Sequence, residues 1–258
     1  LASKRVLGND TDVMINYSID NGIHCEIIGK TVTSATVNRI EEEMKNIVSQ
    51  NLPFKNVIVD RIEAIKYLKK VKQYDKVNIL KYLTDDTITI NLLDDTYDYF
   101  YGPLVPHTGV LKYFALKYTK DNTFVLIYPT SDSPNKLKEY HEHPLTNRTY
   151  KNFSDWGKKV SIPTVSRLNE IISMGQSEAA VRFFEAHYNE EISKVIETVC
   201  KNRDKIKMIL LAGPSSSGKT TTSLKLGLYL RVKGIKFKKI SLDDYFVDRE
   251  FTPKDENG

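Results

Sequence analysis

The order of signals along the chain predicts an α+β N-terminal domain with an antiparallel sheet, a helical linker, and the truncated start of an α/β domain. Three observations carry this. Alternating apolar stretches flank Asp20-Asn21-Gly22, and a second pair flanks Lys120-Asp121-Asn122; both read as antiparallel hairpins. Residues 151–206 show helical periodicity. Residues 213–220 then form a Gly/Ser-rich loop between an apolar strand pattern and a helix pattern. The predicted divisions are residues 1–150, 151–206 and 207–258.

Taken in order, residues 12–17 and 23–28 are the strands of the first hairpin. Ser34 caps a helix running to about Val48, with Val37, Ile40, Met44, Ile47 and Val48 as its apolar stripe. Glu41-Glu42-Glu43 falls mainly on the solvated face of that helix. A short strand at 57–59 precedes a helix over 61–71, with Ile62, Ile65 and Leu68 inside, and a helix over 77–83. Strand signals return at 87–92 and 97–100, followed by a Pro/Gly loop through Gly109. Residues 111–118 and 123–128 form the second hairpin. A short helix near Trp156, one over 164–173 and a long one over 177–200 follow, with Gly175 parting the last two. Residues 208–212 then read as a buried strand, 221–231 as a helix, 236–242 as a strand, and 252–258 as a polar tail.

Composition narrows the function classes. With 40% hydrophobic and 28% charged residues, this is an ordinary globular chain. A net charge of +5 suits anionic ligands without demanding nucleic acid. The two cysteines, Cys25 and Cys200, form no metal-spacing or redox motif. With no secretory leader in view, the expected compartment is the reducing cytoplasm. No apolar run approaches the roughly 20 residues that span a bilayer.

The strongest chemical signal is Gly213-Pro214-Ser215-Ser216-Ser217-Gly218-Lys219-Thr220, a complete G-x-x-x-x-G-K-[ST] phosphate-binding loop. Glycines let the backbone curl so that its N–H groups face phosphate oxygens. The following helix adds its open N-terminal N–H groups and the positive end of its dipole. Lys219 is placed to reach the β- and γ-phosphates, and the Thr220 hydroxyl to coordinate Mg²⁺; Thr221 completes the ATP-binding set. A doubly wound sheet needs more strands than follow this loop, so residues 207–258 read as the opening part of an α/β P-loop NTPase domain. Its other strands are expected beyond Gly258. Asp243 and Asp244 close the second expected strand, and ligands of parallel sheets gather at such strand ends. Asp243 is the candidate base that orients and deprotonates an acceptor hydroxyl. Asp244 is the candidate metal ligand. The alternative is that the two form a metal-binding carboxylate strand of a generic NTPase.

Two resemblances sharpen this. Residues 98–109, Asp98-Tyr99-Phe100-Tyr101-Gly102-Pro103-Leu104-Val105-Pro106-His107-Thr108-Gly109, resemble a segment of the threonyl-tRNA synthetase editing domain that reads D-L-C-R-G-P-H-V-P-S-T-G. The family's reactive Cys and His fall on Phe100 and Leu104, and its H-x-x-x-H pair is absent. The resemblance therefore implies an editing-like scaffold without editing chemistry. Residues 207–258 resemble the uridine kinase and phosphoribulokinase branch of P-loop kinases: Ile240-Ser241-Leu242-Asp243-Asp244-Tyr245-Phe246 stands where those kinases carry D-S-F-Y or D-S-Y-Y. Together the two halves resemble bacterial uridine kinase-like nucleoside kinases with a synthetase-like N-terminal half.

What this implies is transfer of the ATP γ-phosphate to a nucleoside 5′-hydroxyl, with Lys219 and Asp243 catalytic. The rivals are a non-catalytic nucleotide-binding protein whose N-terminal half binds RNA or an amino acid, and a kinase of another small alcohol. No aromatic-basic stacking motif backs nucleic acid as a partner. Oligomeric state is not written in the sequence. Other polar groups have plainer readings. His141-Glu142-His143 lacks a third ligand, His24 and Cys25 point to opposite strand faces, and Tyr245 and Phe246 read as packing residues.

Overall fold

A computed structural model describes residues 1–100, 102–120 and 122–254, leaving aside the side chain of Arg249. Tyr101 of the Pro/Gly loop, Asp121 of the second hairpin turn and tail residues 255–258 lie outside the described residues. The chain divides into two compact units, Leu1–Met174 and Gly175–Gly258. In chain order the elements are α1 (Ala2–Leu7), β1 (Asp12–Ile19), β2 (Gly22–Ile28), α2 (Ser34–Ser49), β3 (Phe54–Asp60), α3 (Arg61–Lys70), α4 (Tyr74–Leu80), β4 (Thr87–Leu93) and β5 (Thr96–Asp98). There follow β6 (Ala115–Tyr118), β7 (Thr123–Ile127), α5 (Pro144–Lys159), α6 (Val165–Ser173), α7 (Ser177–Lys201) and α8 (Lys219–Val232).

The first unit is α+β, with two small antiparallel sheets where the sequence suggested one. One has the order β1-β2-β7-β6 and the other β3-β4-β5. The first hairpin turns at Asp20, whose positive φ of 55° suits a short polar side chain. Gly22 follows because a Cβ there would lie 2.6 Å from the Tyr140 ring and 2.7 Å from Val125. The helix α2 lays Val37, Ile40 and Ile47 into a core shared with Cys25, Ile27, Leu116 and Phe124. Its cap is Thr33, one residue before the predicted Ser34. The Thr33 hydroxyl accepts from the Thr36 N–H, completing a capping box. The acidic run is not simply solvated: Glu41 accepts from the Leu116 N–H at 2.7 Å, and Glu43 pairs with Arg5 at 2.7 Å.

The second sheet carries its own core of Ala64, Leu68, Val77, Leu80, Ile88 and Ile90. Asp60 caps α3 by accepting from the N–H groups of Ile62 and Glu63. Ala64, not Ile62, takes the innermost place on α3; Ile62 is exposed. The α4 helix starts at Tyr74, three residues before the predicted Val77. The helix near Trp156 is not short: α5 covers 16 residues, begun by Pro144 at its first turn, where a missing N–H costs nothing.

On β2, His24 and Cys25 do take opposite faces. His24 Nε2 lies 3.0 Å from the Tyr140 hydroxyl, its ring stacks on Tyr17 at 4.5 Å, and burial lowers its pKa. Cys25 enters the α2 core, and burial pushes its thiol up to about 11. Thiolate is the reactive form. Iodoacetamide at pH 8 is therefore expected to label the half-exposed Cys200 in the native protein and to reach Cys25 only after denaturation. Mass spectrometry showing equal native labelling would contradict this burial.

The second unit is built on α7 and α8. Ile192, Ile196 and Val199 of α7 meet Leu226 and Leu230 of α8, with Tyr188 and Ile235 partly buried against them. Gly234, with φ 71°, ends α8, and the chain doubles back so that Phe237 covers Gly227. A Cβ on Gly227 would sit 2.4 Å from that ring. The helix after the loop is present. Residues 208–212 and 236–242, predicted as strands, carry no strand ladder among the described residues. A strand is defined by its partners, and neither run has one; Leu210 is 85% exposed. No parallel sheet of an α/β domain is therefore formed by the described residues.

Candidate phosphate-binding loop

Two positive-φ residues shape the loop. Ser216 has φ 59° and Gly218 has φ 82°, both in the left-handed region, so the backbone reverses and delivers Lys219 as the first residue of α8. The Ser217 N–H closes a turn on the Pro214 carbonyl at 3.3 Å. A Cβ on Gly213 would lie 2.7 Å from the Ser217 hydroxyl, which would have to rotate away. α8 has no side-chain N-cap, so its first N–H groups remain open at the loop. Lys219 Nζ turns back and donates to the carbonyls of Gly213 at 2.8 Å and Pro214 at 2.7 Å. An ammonium resting on two neutral acceptors is free to exchange them for anionic oxygens, which bind it more strongly.

Pro214, Ser215, Ser216, Ser217, Thr220 and Thr221 are exposed around this turn. They are therefore accessible to a ligand. Thr222, one residue on, is held from behind by the Tyr188 hydroxyl at 2.7 Å. Nothing in the sequence singled out Tyr188; a tyrosine in a long amphipathic helix carries no distinguishing pattern.

Asp243 and Asp244 do not end a strand. They lie on a 3-10 turn, Leu242–Tyr245, where the Asp244 N–H reaches the Ser241 carbonyl at 3.3 Å. Both side chains are exposed, and among the described residues neither forms an ion pair. No hydrogen bond joins them to Lys219 or Thr220 among the described residues. The loop residues are thus gathered at one helix start, and the two carboxylates stand on a separate turn. Tyr245 and Phe246, predicted to pack, are 71% and 79% exposed.

The segment 98–109 of the first unit is arranged differently. Asp98 pairs with Lys76 and accepts from the Tyr99 N–H at 2.7 Å. Lys76 Nζ also lies 5.9 Å from the centre of the Phe100 ring. Phe100 is 46% exposed, and Leu104 is half-buried. Neither side chain can donate or accept a proton. The end of the segment is structural. Thr108 donates from Oγ1 to the Ile47 carbonyl at 2.8 Å and accepts from the Leu52 N–H at 2.9 Å. Gly109 passes so close to Asn51 that a Cβ would meet its Oδ1 at 2.2 Å. His107 bridges to Pro53, and its Nδ1 is buried with no hydrogen-bond partner among the described residues. His141 and His143 sit just before α5, with Glu142 between them paired to Lys117 at 2.8 Å.

No family model matches the chain. Part of it is similar to part of the threonine–tRNA ligases. The chain is 34% identical to the enzyme of Desulfosudis oleivorans over 111 residues, covering 43% of this chain and 17% of that protein. It is 31% identical to that of Thermoplasma volcanium over 134 residues, covering 48% and 20%. It is 32% identical to that of Francisella tularensis subsp. novicida over 107 residues, covering 41% and 17%. The chain thus spans about a fifth of the length of the curated relatives it matches. Among the described residues, no helix is long and apolar enough to cross a membrane.

Proposed function

We propose that the protein is an ATP-dependent nucleoside kinase of the uridine kinase type, carrying a synthetase-like half without editing chemistry. The observation that carries this reading is the loop itself. Left-handed Ser216 and Gly218 lead into an uncapped helix, and Lys219 is parked on two neutral carbonyls beside it. In this reading Lys219 leaves Gly213 and Pro214 and neutralises the β- and γ-phosphates, while the open amides of α8 orient them. Thr220, exposed at the helix start, is the residue that would hold Mg²⁺, which supplies charge neutralisation when bound. Asp243 orients the acceptor 5′-hydroxyl and takes its proton. The hydroxyl oxygen bonds to the γ-phosphorus as the bond to the β–γ bridging oxygen breaks, releasing ADP. The similarity to threonine–tRNA ligases supports the synthetase-like half, and Phe100 and Leu104 support its loss of hydrolytic chemistry.

An ADP-release screen of the full-length protein against the common nucleosides tests the reading; residues 1–258 by themselves are expected to be inactive. Uridine or a close relative is expected to stimulate turnover. Asp243→Asn is expected to lower kcat on the order of 100-fold while leaving ATP affinity in place. Turnover unchanged in Asp243→Asn removes the proposed base. A second reading is favoured by the fact that the relatives found are tRNA ligases: a nucleotide-binding protein whose first unit holds RNA or an amino acid. ATP binding without transfer to any nucleoside or sugar phosphate, joined to tRNA retention on a filter, would favour that one.

A further inference from the structure

We propose that Tyr188 is a positioning residue for the phosphate-binding loop, locking the first turn of α8 to the long helix α7. The proposal rests on the reading of residues 213–220 as a phosphate site.

The core between the two helices holds α8 only from Leu226 onward, through Leu226 and Leu230. Ahead of Leu226 the helix has little apolar anchorage: Thr220 and Thr221 are exposed, and Leu224 is 62% exposed. With no side-chain cap either, this turn is the part of the helix that should fray. Yet a phosphate site needs its amides aimed in one fixed direction.

Tyr188 supplies the missing anchor. Its hydroxyl lies 2.7 Å from Thr222 Oγ1 in a partly buried setting. The Thr222 N–H in turn donates to the carbonyl of the left-handed Gly218 at 2.9 Å, closing the first turn on the loop's own pivot. Lys225 Nζ lies 4.8 Å from the centre of the Tyr188 ring and covers its other side. The ring itself packs against the α7–α8 core. A continuous path therefore runs from the core through Tyr188 and Thr222 to Gly218. Tyr188 touches no phosphate in this arrangement; it acts through Thr222.

The test uses the whole chain and two readouts. In nucleotide-free protein, Tyr188→Phe is expected to speed exchange of the Thr222, Ser223 and Leu224 amides about 3- to 10-fold, the range for loss of one neutral hydrogen bond. The amides of Leu226 to Leu230 should keep their rates. Thr222→Ser, which keeps the hydroxyl, should match the unmodified protein, and Tyr188→Phe with Thr222→Val should be no worse than either change alone. MgATP affinity should fall by a similar factor in Tyr188→Phe. Unchanged exchange at Thr222, or faster exchange spread evenly along α8, overturns the anchor whatever the protein does with ATP. Locally faster exchange with full MgATP affinity in Tyr188→Phe, but lost affinity in Lys219→Ala, overturns the positioning role and leaves the phosphate site intact. Full affinity in Lys219→Ala overturns the phosphate site itself, and the positioning role with it.

Discussion

Lys219→Ala is expected to weaken MgATP binding about 10- to 100-fold, the range for loss of one charge-assisted hydrogen bond at about 1.5–3 kcal/mol, with 1.4 kcal/mol per tenfold. The nucleotide-free protein should melt almost where it did before. The asymmetry follows from where Nζ rests. In the free protein it serves two exposed loop carbonyls, Gly213 and Pro214, which water satisfies equally well when it leaves. In the proposed complex the same donors meet phosphate oxygens, where the loss is of charge against charge. Lys219→Arg is not a safe substitute, because a bulky planar fork on a three-methylene stem does not reproduce a compact ammonium inside a tight turn. Titration calorimetry on both variants, with thermal melts alongside, checks the pair of statements. Matching affinities for Lys219→Ala and the unmodified protein would mean that the phosphates are held elsewhere.

The largest stability effect is expected from Thr108→Val in the first unit. The two side chains have nearly the same shape, so the change removes a hydroxyl and little else. That hydroxyl is buried at 2% exposure and serves both the end of α2 and the turn that leads into β3. Its loss strands the Ile47 carbonyl and the Leu52 N–H in a dry site. At ~1–3 kcal/mol for each of the two stranded groups, the cost is about 2–6 kcal/mol. For a unit of this size that corresponds to a fall in melting temperature on the order of 5–15 °C. Thr108→Ser keeps both hydrogen bonds and should recover most of the loss. A melt of Thr108→Val indistinguishable from the unmodified protein would show that water reaches this turn.

This result would also show which residues fix the 98–109 segment in place. Pro106, Thr108 and Gly109 tie α2 to β3: the Pro106 carbonyl accepts from Phe54 N–H at 3.0 Å, and Gly109 fits against Asn51. Phe100 and Leu104 tie nothing comparable.

Local signals were the legible ones. The two hairpins follow from period-two alternation and turn residues that accept left-handed geometry, such as Asp20 and Asn122 with φ 55° and 63°. The α2 stripe followed from helical spacing. A helix directly after the loop followed from the loop motif, although α8 starts at Lys219, two residues before the expected Thr221. What stayed hidden depends on partners far along the chain. Ala64 displaces Ile62 from the core because of how α3 lies on β4, which spacing alone does not give. The length of α5 was missed because its low overall hydrophobicity hides the start at Pro144, and α1 is too short to announce itself. Met208 and Leu210 look like strand residues by type, but pairing, not composition, makes a strand. Asp243 and Asp244 were placed at a strand end for the same reason, and they stand on a 3-10 turn. The Tyr188–Thr222 bond joins residues on two helices, and no local pattern marks either one.

The unpaired runs of the second unit have a consequence for the molecule in solution. Met208 and Leu210 are more than half exposed in a run with no ladder partner among the described residues, and Leu224, Leu228 and Val232 of α8 are exposed as well. Rows of free N–H and C=O groups flanked by branched apolar side chains are templates for copies of the same chain. Residues 208–212 carry no charge to repel a neighbour. Self-association of the chain is expected to start here.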